Sequence, residues 1–474
     1  WMWIVGLFGM AIKMTEVTLS MLYRNTADED NPHGGPMWVV SKGLAMINPA
    51  WAGVGKTIGV IFCLTLLVST ATGGNMFQAW NVGEITEAYF GVPSWVCGVI
   101  LAVLVGMVII GGIKRIGRVA GVLVPLMVAL YLVAAIYVLI VHAGELPGML
   151  AMILKSAFSA QEATGAFIGG TVGYAFLIGM KRASFSNEAG QGSSPIAHSA
   201  VKTDEPVREG LVAGIEPFID TIVVCTITAL VILSTGVWNR GADFELSQMP
   251  AITAAADAGW ELADSRIDPG AAEVATNVYL IAEAHPNGST GNSLHKINGT
   301  VIESGGERVI DWEPFASPEQ PRLRDGGVYV SYVGATLTAL AFDSVAPGLG
   351  KWLVTVASWL FAVSTMISWS YYGEQGVVYL AGERAVLAYK LVFCALIIVA
   401  TLGMIETDRD LDNMTGIGTG VMLFANLPIL WIFGRQAMRA YHEYIGRLKA
   451  GQMGPDHPAP SLEDLISGKD VKRD

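Results

Sequence analysis

Two apolar stretches between residues 163 and 237, each long enough to cross a bilayer, constrain this chain more than any other feature. The first, about 163–180, is broken near its centre by Gly169-Gly170 and stopped by Lys181-Arg182. A loop of small residues follows, Ser186-Asn187-Glu188-Ala189-Gly190-Gln191-Gly192-Ser193. The second, about 207–237, carries Asp220 in its interior, and Pro217 is placed to kink it. Hydrocarbon offers no hydrogen-bond partner, so backbone inside it must satisfy itself by forming helix or a closed barrel. Apolar helices interrupted by glycine and holding an ionisable group read as a transport path.

The rest of the chain has the same character. Of its 474 residues, 52% are hydrophobic and 15% are charged, against about 25% charged in a soluble domain. Mean hydropathy is +0.49. The reading is an all-α polytopic membrane protein with nine spans of roughly 20 residues, the length a bilayer core requires. They fall at about 1–23, 56–77, 94–112, 119–142, 163–180, 207–237, 350–373, 385–404 and 413–435. The net charge of −12 argues against a nucleic-acid partner. Cys63, Cys97, Cys225 and Cys394 all lie in or beside apolar segments, as small packing residues do.

Lys and Arg alternate between the connecting loops, and this sets an orientation. Arg24, Lys42 and Lys56 follow span one; Lys114, Arg115 and Arg118 follow span three; Arg435, Arg439, Arg447 and Lys449 follow span nine. The stretch 78–93 carries only Glu84 and Glu87. The pattern predicts a plasma (inner) membrane protein with a cytoplasmic C-terminus. It also places Trp1 outside, so at least one further in-to-out helix is expected ahead of it. The chain divides as helices over 1–237, a polar block over 238–349, helices over 350–437 and a cytoplasmic tail over 438–474. The block is expected on the extracellular or periplasmic side. Between 238 and 348, six Lys and Arg stand against fifteen Asp and Glu. Alternating runs such as Val328–Val333 suggest strands there. Both a solvated insertion and a lid or partner-binding role fit it.

Several residues could carry chemistry, each with two open readings. Lys13 and Glu16 share a helical face, as a buried ion pair that fixes packing or as a gate. Asn75 and Gln78 share one too, meeting interfacial water or a zwitterionic ligand. Gly169-Gly170, with Gly165 and Gly173 nearby, permits close helix packing or a local unwinding that frees backbone groups for a ligand. Asp220 either caps a hydroxyl network with Thr221 and Thr226 or serves an ion. Ser364 and Thr365 either hydrogen-bond their own helix or, where the backbone unwinds, offer hard oxygens to a cation. Among seven His and four Cys there is no nucleophile–base or metal arrangement, and His198 sits in a polar loop where a solvated role is the default, so an enzyme is not expected.

At this point longer motifs become recognisable. Gly179–Gly192 reads GMKRASFSNEAGQG, Phe218–Thr228 reads FIDTIVVCTIT, and Ser364–Glu374 reads STMISWSYYGE. With the opening WMWIVGLFGMAIKMTEVTLSMLYR, Gly111–Arg115 (GGIKR) and Leu337–Phe342 (LTALAF), the chain resembles the alanine/glycine:cation symporters, that is, the sodium:alanine symporter family. The resemblance covers most of the chain outside 240–332 and the tail. Ala183 stands where the family usually has Gly, and the polar block is longer than usual.

The resemblance implies a leucine-transporter-type fold of two five-helix inverted repeats with a site at the bilayer midplane. Span five would then be the sixth core helix, and the expected helix ahead of Trp1 would be the first, which in the family carries an unwound segment serving substrate and sodium. It implies a secondary active symporter coupling Na⁺ influx to uptake of a small neutral amino acid, alanine or glycine, with Na⁺ as coupling ion and no cofactor. Substrate would meet Asn75, Gln78, Gly169, Gly170 and Trp369; sodium would meet Ser364 and Thr365; Asn187, Glu188 and Asp220 are further motif positions. Two alternatives stay open: an H⁺-coupled transporter of the same fold, and a non-transporting receptor that senses ligand through 238–349.

Overall fold

The computed structural model describes the chain except residues 28–30, 160–165, 167, 256–258, 289, 333–334, 404–407, 454–458 and 468–474. In chain order it forms α1 (Met2–Tyr23), α2 (Pro36–Ile47), α3 (Ala52–Ala71), α4 (Phe77–Phe90), α5 (Ser94–Ile109), α6 (Gly112–Val141) and α7 (Leu146–Ser156). There follow α8 (Val172–Asn187), α9 (Ser194–His198), α10 (Pro206–Pro217) and α11 (Cys225–Ser234). Ten short strands lie between Phe244 and Val330. The last helices are α12 (Ala335–Asp343), α13 (Leu349–Ala381), α14 (Val386–Ala400), α15 (Asp408–Lys449) and α16 (Leu462–Ser467).

Among the described residues, six helical stretches are long and apolar enough to cross a membrane, not nine: Met2–Tyr23, Pro49–Phe90, Gly112–Val141, Pro206–Ser234, Leu349–Ala381 and Asn413–Lys449. The differences have local causes. The segment expected to be a loop at 78–93 continues the preceding helix as far as Phe90, because Thr72–Met76 form a π turn that carries the helix on instead of ending it. A second π turn, Phe218–Val224, does the same between α10 and α11, just after Pro217. α5 and α14 are apolar but shorter than the expected spans, with 16 and 15 residues. α2, α7 and α12 were not foreseen, since helices of 9 to 12 residues fall below the length on which hydropathy acts.

The expected span 163–180 is not one helix. Residues 160–165 and 167 lie outside the described part, and α8 begins only at Val172. Ile168–Gly170 are non-helical, with Gly169 at φ 85°, a left-handed value that glycine tolerates without a Cβ penalty.

The chain forms two compact units. One contains Trp1, Ala135–Gly179 and Thr228–Gly350; the other contains Met2–Ala134, Met180–Ile227 and Lys351–Asp474. The first holds the strands. With strands numbered in chain order, a seven-stranded antiparallel sheet runs β1 (Phe244–Glu245), β10 (Gly327–Val330), β5 (Asn277–Glu283), β6 (Leu294–Ser304), β7 (Glu307–Trp312) and β4 (Ser265–Arg266). β9 (Arg322–Leu323) adds to β5, while β2 (Ile252–Ala254), β3 (Gly259–Leu262) and β8 (Phe315–Ala316) form a small second sheet. The expected run Val328–Val333 yields β10 as far as Val330; Val333 is outside the described residues. β6 and β7 turn through Gly305-Gly306, both at positive φ, as a two-residue hairpin loop requires. Val278, Leu280 and Ala282 face a core with Ile297, Val301, Ile310 and Trp312; Tyr279, Ile281 and Tyr329 bury the opposite face against Ala166.

The other unit is helical. α1 packs along α10 and against α15, α2 lies along α3, and α14 lies against α5. The α1–α10 approach is close: a Cβ on Gly210 would meet Thr18 Oγ1 at 2.1 Å, and one on Gly214 would meet the Met10 carbonyl at 3.2 Å. Small residues let helices associate by backbone contact where lipid gives no hydrophobic drive.

Candidate functional site

Within the helical unit, the loop after α8 is the centre of a buried polar hub. Asn187 Oδ1 accepts the Ala189 N–H at 3.0 Å, an Asx turn that ends the helix. Glu188 then sits at φ 54°, uncommon for a residue with a side chain. Its carboxylate accepts from Ser193 Oγ at 2.6 Å. Gly190 and Gly192 complete the turn at φ 84° and 80°; at Gly192 a Cβ would lie 2.4 Å from the Pro36 ring.

Charged side chains from α1 hold this loop, though not in the expected way. Lys13 and Glu16 do not serve mainly as partners of each other. Lys13 Nζ donates to the Asn187 carbonyl at 2.8 Å and lies 3.4 Å from Glu216 on α10. Glu16 Oε2 accepts from the Gly190 N–H at 3.2 Å and from Asn426 Nδ2 at 3.1 Å, and Asn426 also donates to the Gly190 carbonyl at 2.9 Å. All three side chains are at most 2% exposed. A buried charge must be paired or well hydrogen-bonded; the loop backbone supplies the hydrogen bonds and Glu216 on α10 the pairing for Lys13. Asn426 and Glu216 escaped the sequence reading, although a lone amide or carboxylate in an apolar helix was the signal that picked out Asp220.

His198 is not solvated. It ends α9, and its two ring nitrogens face Glu209 Oε1 at 2.5 Å and Glu216 Oε1 at 2.9 Å, with the side chain 15% exposed. Both nitrogens can act as donors only in the protonated ring. Burial alone would lower its pKa, but hydrogen bonds to the two carboxylates outweigh it and lift the value to about 9. Asp220, in the second π turn, accepts from Thr221 Oγ1 at 2.6 Å, and the Thr221–Ser186 hydroxyl pair lies at 3.1 Å. Thr226 instead accepts from the Trp3 indole at 2.6 Å.

The first π turn holds Asn75 and sets its neighbour Gly74 against Trp369. Gly74 lies under the Trp369 ring, where a Cβ would be 2.4 Å from the indole Cγ. Asn75 is fully buried; its Nδ2 donates to the Phe393 carbonyl at 2.8 Å, while Oδ1 has no partner. Gln78 Nε2 closes the turn on the Gly73 carbonyl at 3.2 Å. Trp369 packs edge-on against Tyr372. Gly169 and Gly170 belong to the other compact unit.

At the expected cation site, α13 runs as regular helix through Ser364 and Thr365, so the unwinding assumed there is not present. Ser364 Oγ donates to the Phe361 carbonyl at 2.9 Å and lies 3.6 Å from Met127 Sδ. This is the local hydrogen bonding that a hydroxyl in an apolar helix adopts by default.

Membrane-length helices, two of them carrying π turns, together with a buried ionisable hub define a multi-pass membrane protein. The chain belongs to the sodium:alanine symporter family, which it matches over residues 1–261 and 325–457. It is 31% identical over 427 residues to the sodium/alanine symporter AgcS of Methanococcus maripaludis, covering 90% of this chain and 72% of that one. It is 29% identical over 463 residues to an uncharacterized transporter of Haemophilus influenzae (96% and 78% covered). A sodium/proton-dependent alanine carrier protein of Bacillus sp. strain PS3 shares 26% over 460 residues (95% and 82%). The family is one of transporters, so the activity to be explained is transport rather than catalysis.

Proposed function

We propose that the protein is a secondary active symporter that couples Na⁺ influx to uptake of a small neutral amino acid, alanine or glycine. The observation that carries this reading is the family match, which runs through every element of the hub from α1 to α15. Names of relatives as sodium/alanine symporter and alanine carrier support the ion and the substrate. The fold would be the leucine-transporter type of two five-helix inverted repeats, in the plasma (inner) membrane, with the C-terminus cytoplasmic and 238–349 outside.

The residues fit parts of the task. The unpartnered Asn75 Oδ1 is the acceptor that a substrate ammonium or a water would satisfy, with Trp369 limiting side-chain size above Gly74. Gln78 would add a polar contact. In the other unit, the non-helical Gly169-Gly170 backbone would offer N–H and C=O groups to substrate. Ser364 and Thr365 would give hydroxyl oxygens to sodium once α13 loosens. Binding of ion and substrate to one arrangement couples them reciprocally.

A proton-coupled variant is the second reading, favoured by the relative named as sodium/proton-dependent. Radiolabelled alanine uptake into proteoliposomes tests both, with an inward Na⁺ gradient and an inward H⁺ gradient imposed separately. Uptake driven by Na⁺ alone supports the main reading. Uptake driven by H⁺ alone replaces it with the second, and uptake under neither overturns both.

A further inference from the structure

The strand-rich block was open to being a mere solvated insertion, and most of it, residues 262–324, lies outside the family match. Its contacts say otherwise. Four hydrogen bonds tie residues of the block to the non-helical segment that leads into α8, all within one compact unit. Ala166 N donates to the Arg240 carbonyl at 2.9 Å, and Tyr279 Oη donates to the Ala166 carbonyl at 3.1 Å. Asn292 Nδ2 donates to the Ile168 carbonyl at 2.5 Å, and Thr171 N donates to the Thr290 carbonyl at 3.1 Å.

The supports are rigid. Tyr279 is 2% exposed, on a strand paired on both sides, and stacks on Tyr329 at 5.3 Å. Asn292 is fixed in turn, its Oδ1 accepting from the Leu294 N–H at 3.0 Å. The turn before it fits closely: Gly291 is at φ 67°, and a Cβ there would lie 2.6 Å from Thr171 Cγ2. Gly169 and Gly170 lie between these anchor points, with no side chains of their own to fix them. A glycine pair loses more conformational entropy on ordering than any other, so an outside clamp is needed to hold it in one arrangement.

We propose that Tyr279 and Asn292 are positioning residues for transport: they pre-order the Gly169-Gly170 backbone and thereby set the apparent affinity for the amino acid. This rests on the reading that the Gly169-Gly170 backbone serves substrate. It makes the inserted block a determinant of affinity that relatives without it would lack.

The test uses the full chain in proteoliposomes with four variants: Asn292→Ala, Tyr279→Phe, Gly169→Ala, and Gly270→Ala as a surface control in the same block, where a Cβ meets nothing within 4 Å. Hydrogen exchange at the Ala166 and Thr171 amides reports the clamp, and alanine KM reports its use. The expected result is exchange about tenfold faster in Asn292→Ala and Tyr279→Phe, with KM raised about tenfold, the maximal rate kept, and the control silent. Unchanged exchange in both variants overturns the clamp. Faster exchange with unchanged KM overturns the proposal in one of two distinguishable ways. If Gly169→Ala raises KM, the segment serves substrate but the block does not control it. If Gly169→Ala is also silent, the substrate reading of Gly169-Gly170 has failed.

Discussion

The ammonium of Lys13 stands 3.4 Å from the carboxylate of Glu216, joining α1 to α10 across 203 positions of sequence. Lys13 is buried while Glu216 is 41% exposed, so the lysine depends on the pair and the glutamate does not. Lys13 also donates to the Asn187 carbonyl, which brings the family motif loop into the same contact.

Lys13→Met is therefore expected to destabilise the protein by about 2–4 kcal/mol, below the full cost of an orphaned buried charge because water reaches Glu216. Glu216→Gln should cost more than a surface change, since it leaves buried Lys13 with neutral acceptors only among its direct contacts and removes one of the two carboxylates that face His198. A double-mutant cycle on thermal unfolding in detergent checks this. Additive effects within about 0.5 kcal/mol would show that the two groups are not coupled.

The His198 bridge makes a pH prediction. Its folded-state pKa of about 9 lies above the ordinary value of 6.5, so protonated His198 stabilises the fold. That contribution is fully present below about pH 6.5 and is lost as pH rises through about 9. Its size is on the order of 2 kcal/mol, after discounting for the half-exposed Glu216. The melting temperature should fall across that window in the wild type. In His198→Gln the slope should be shallower; an equal slope in both would remove His198 as its source.

Gly74 offers a steric test of the proposed substrate site beside Trp369. Gly74→Ala puts a methyl 2.4 Å from the Trp369 ring and must displace it. Alanine uptake should drop about tenfold or more, the usual cost of misplacing a positioning group. Gly53→Ala is the matched control, since its Cβ meets nothing within 4 Å and alanine favours helix. Tryptophan fluorescence should shift in the first variant only.

Thr365→Ala separates the ion site from the local helix. Loss of one oxygen ligand should raise the Na⁺ concentration for half-maximal uptake about tenfold, the equivalent of roughly 1.4 kcal/mol. Ser364→Ala should do the same if that hydroxyl leaves the Phe361 carbonyl to meet the ion. Unchanged Na⁺ dependence in both would exclude the pair.

Composition and hydropathy were enough to identify a polytopic helical membrane protein, because hydrocarbon solvation acts on each segment separately and its signal is additive along the chain. The motif GMKRASFSNEAGQG was likewise legible as a unit, since its turn chemistry is local: Asn187 caps its own loop, and Gly190 and Gly192 take the φ values only glycine accepts easily. What the tertiary structure decided was partnership and continuity. Lys13 looked toward Glu16 three residues away, but packing brought Glu216 to it and gave Glu16 to Asn426, 410 positions distant. His198 looked solvated until α10 placed two carboxylates against it. The break before Val172 falls at the Gly169-Gly170 pair that marked it in the sequence, whereas the two π turns leave no mark in hydropathy, because a π turn keeps the helix continuous. Long-range contacts chose among local options that the amino acids alone had left nearly equal.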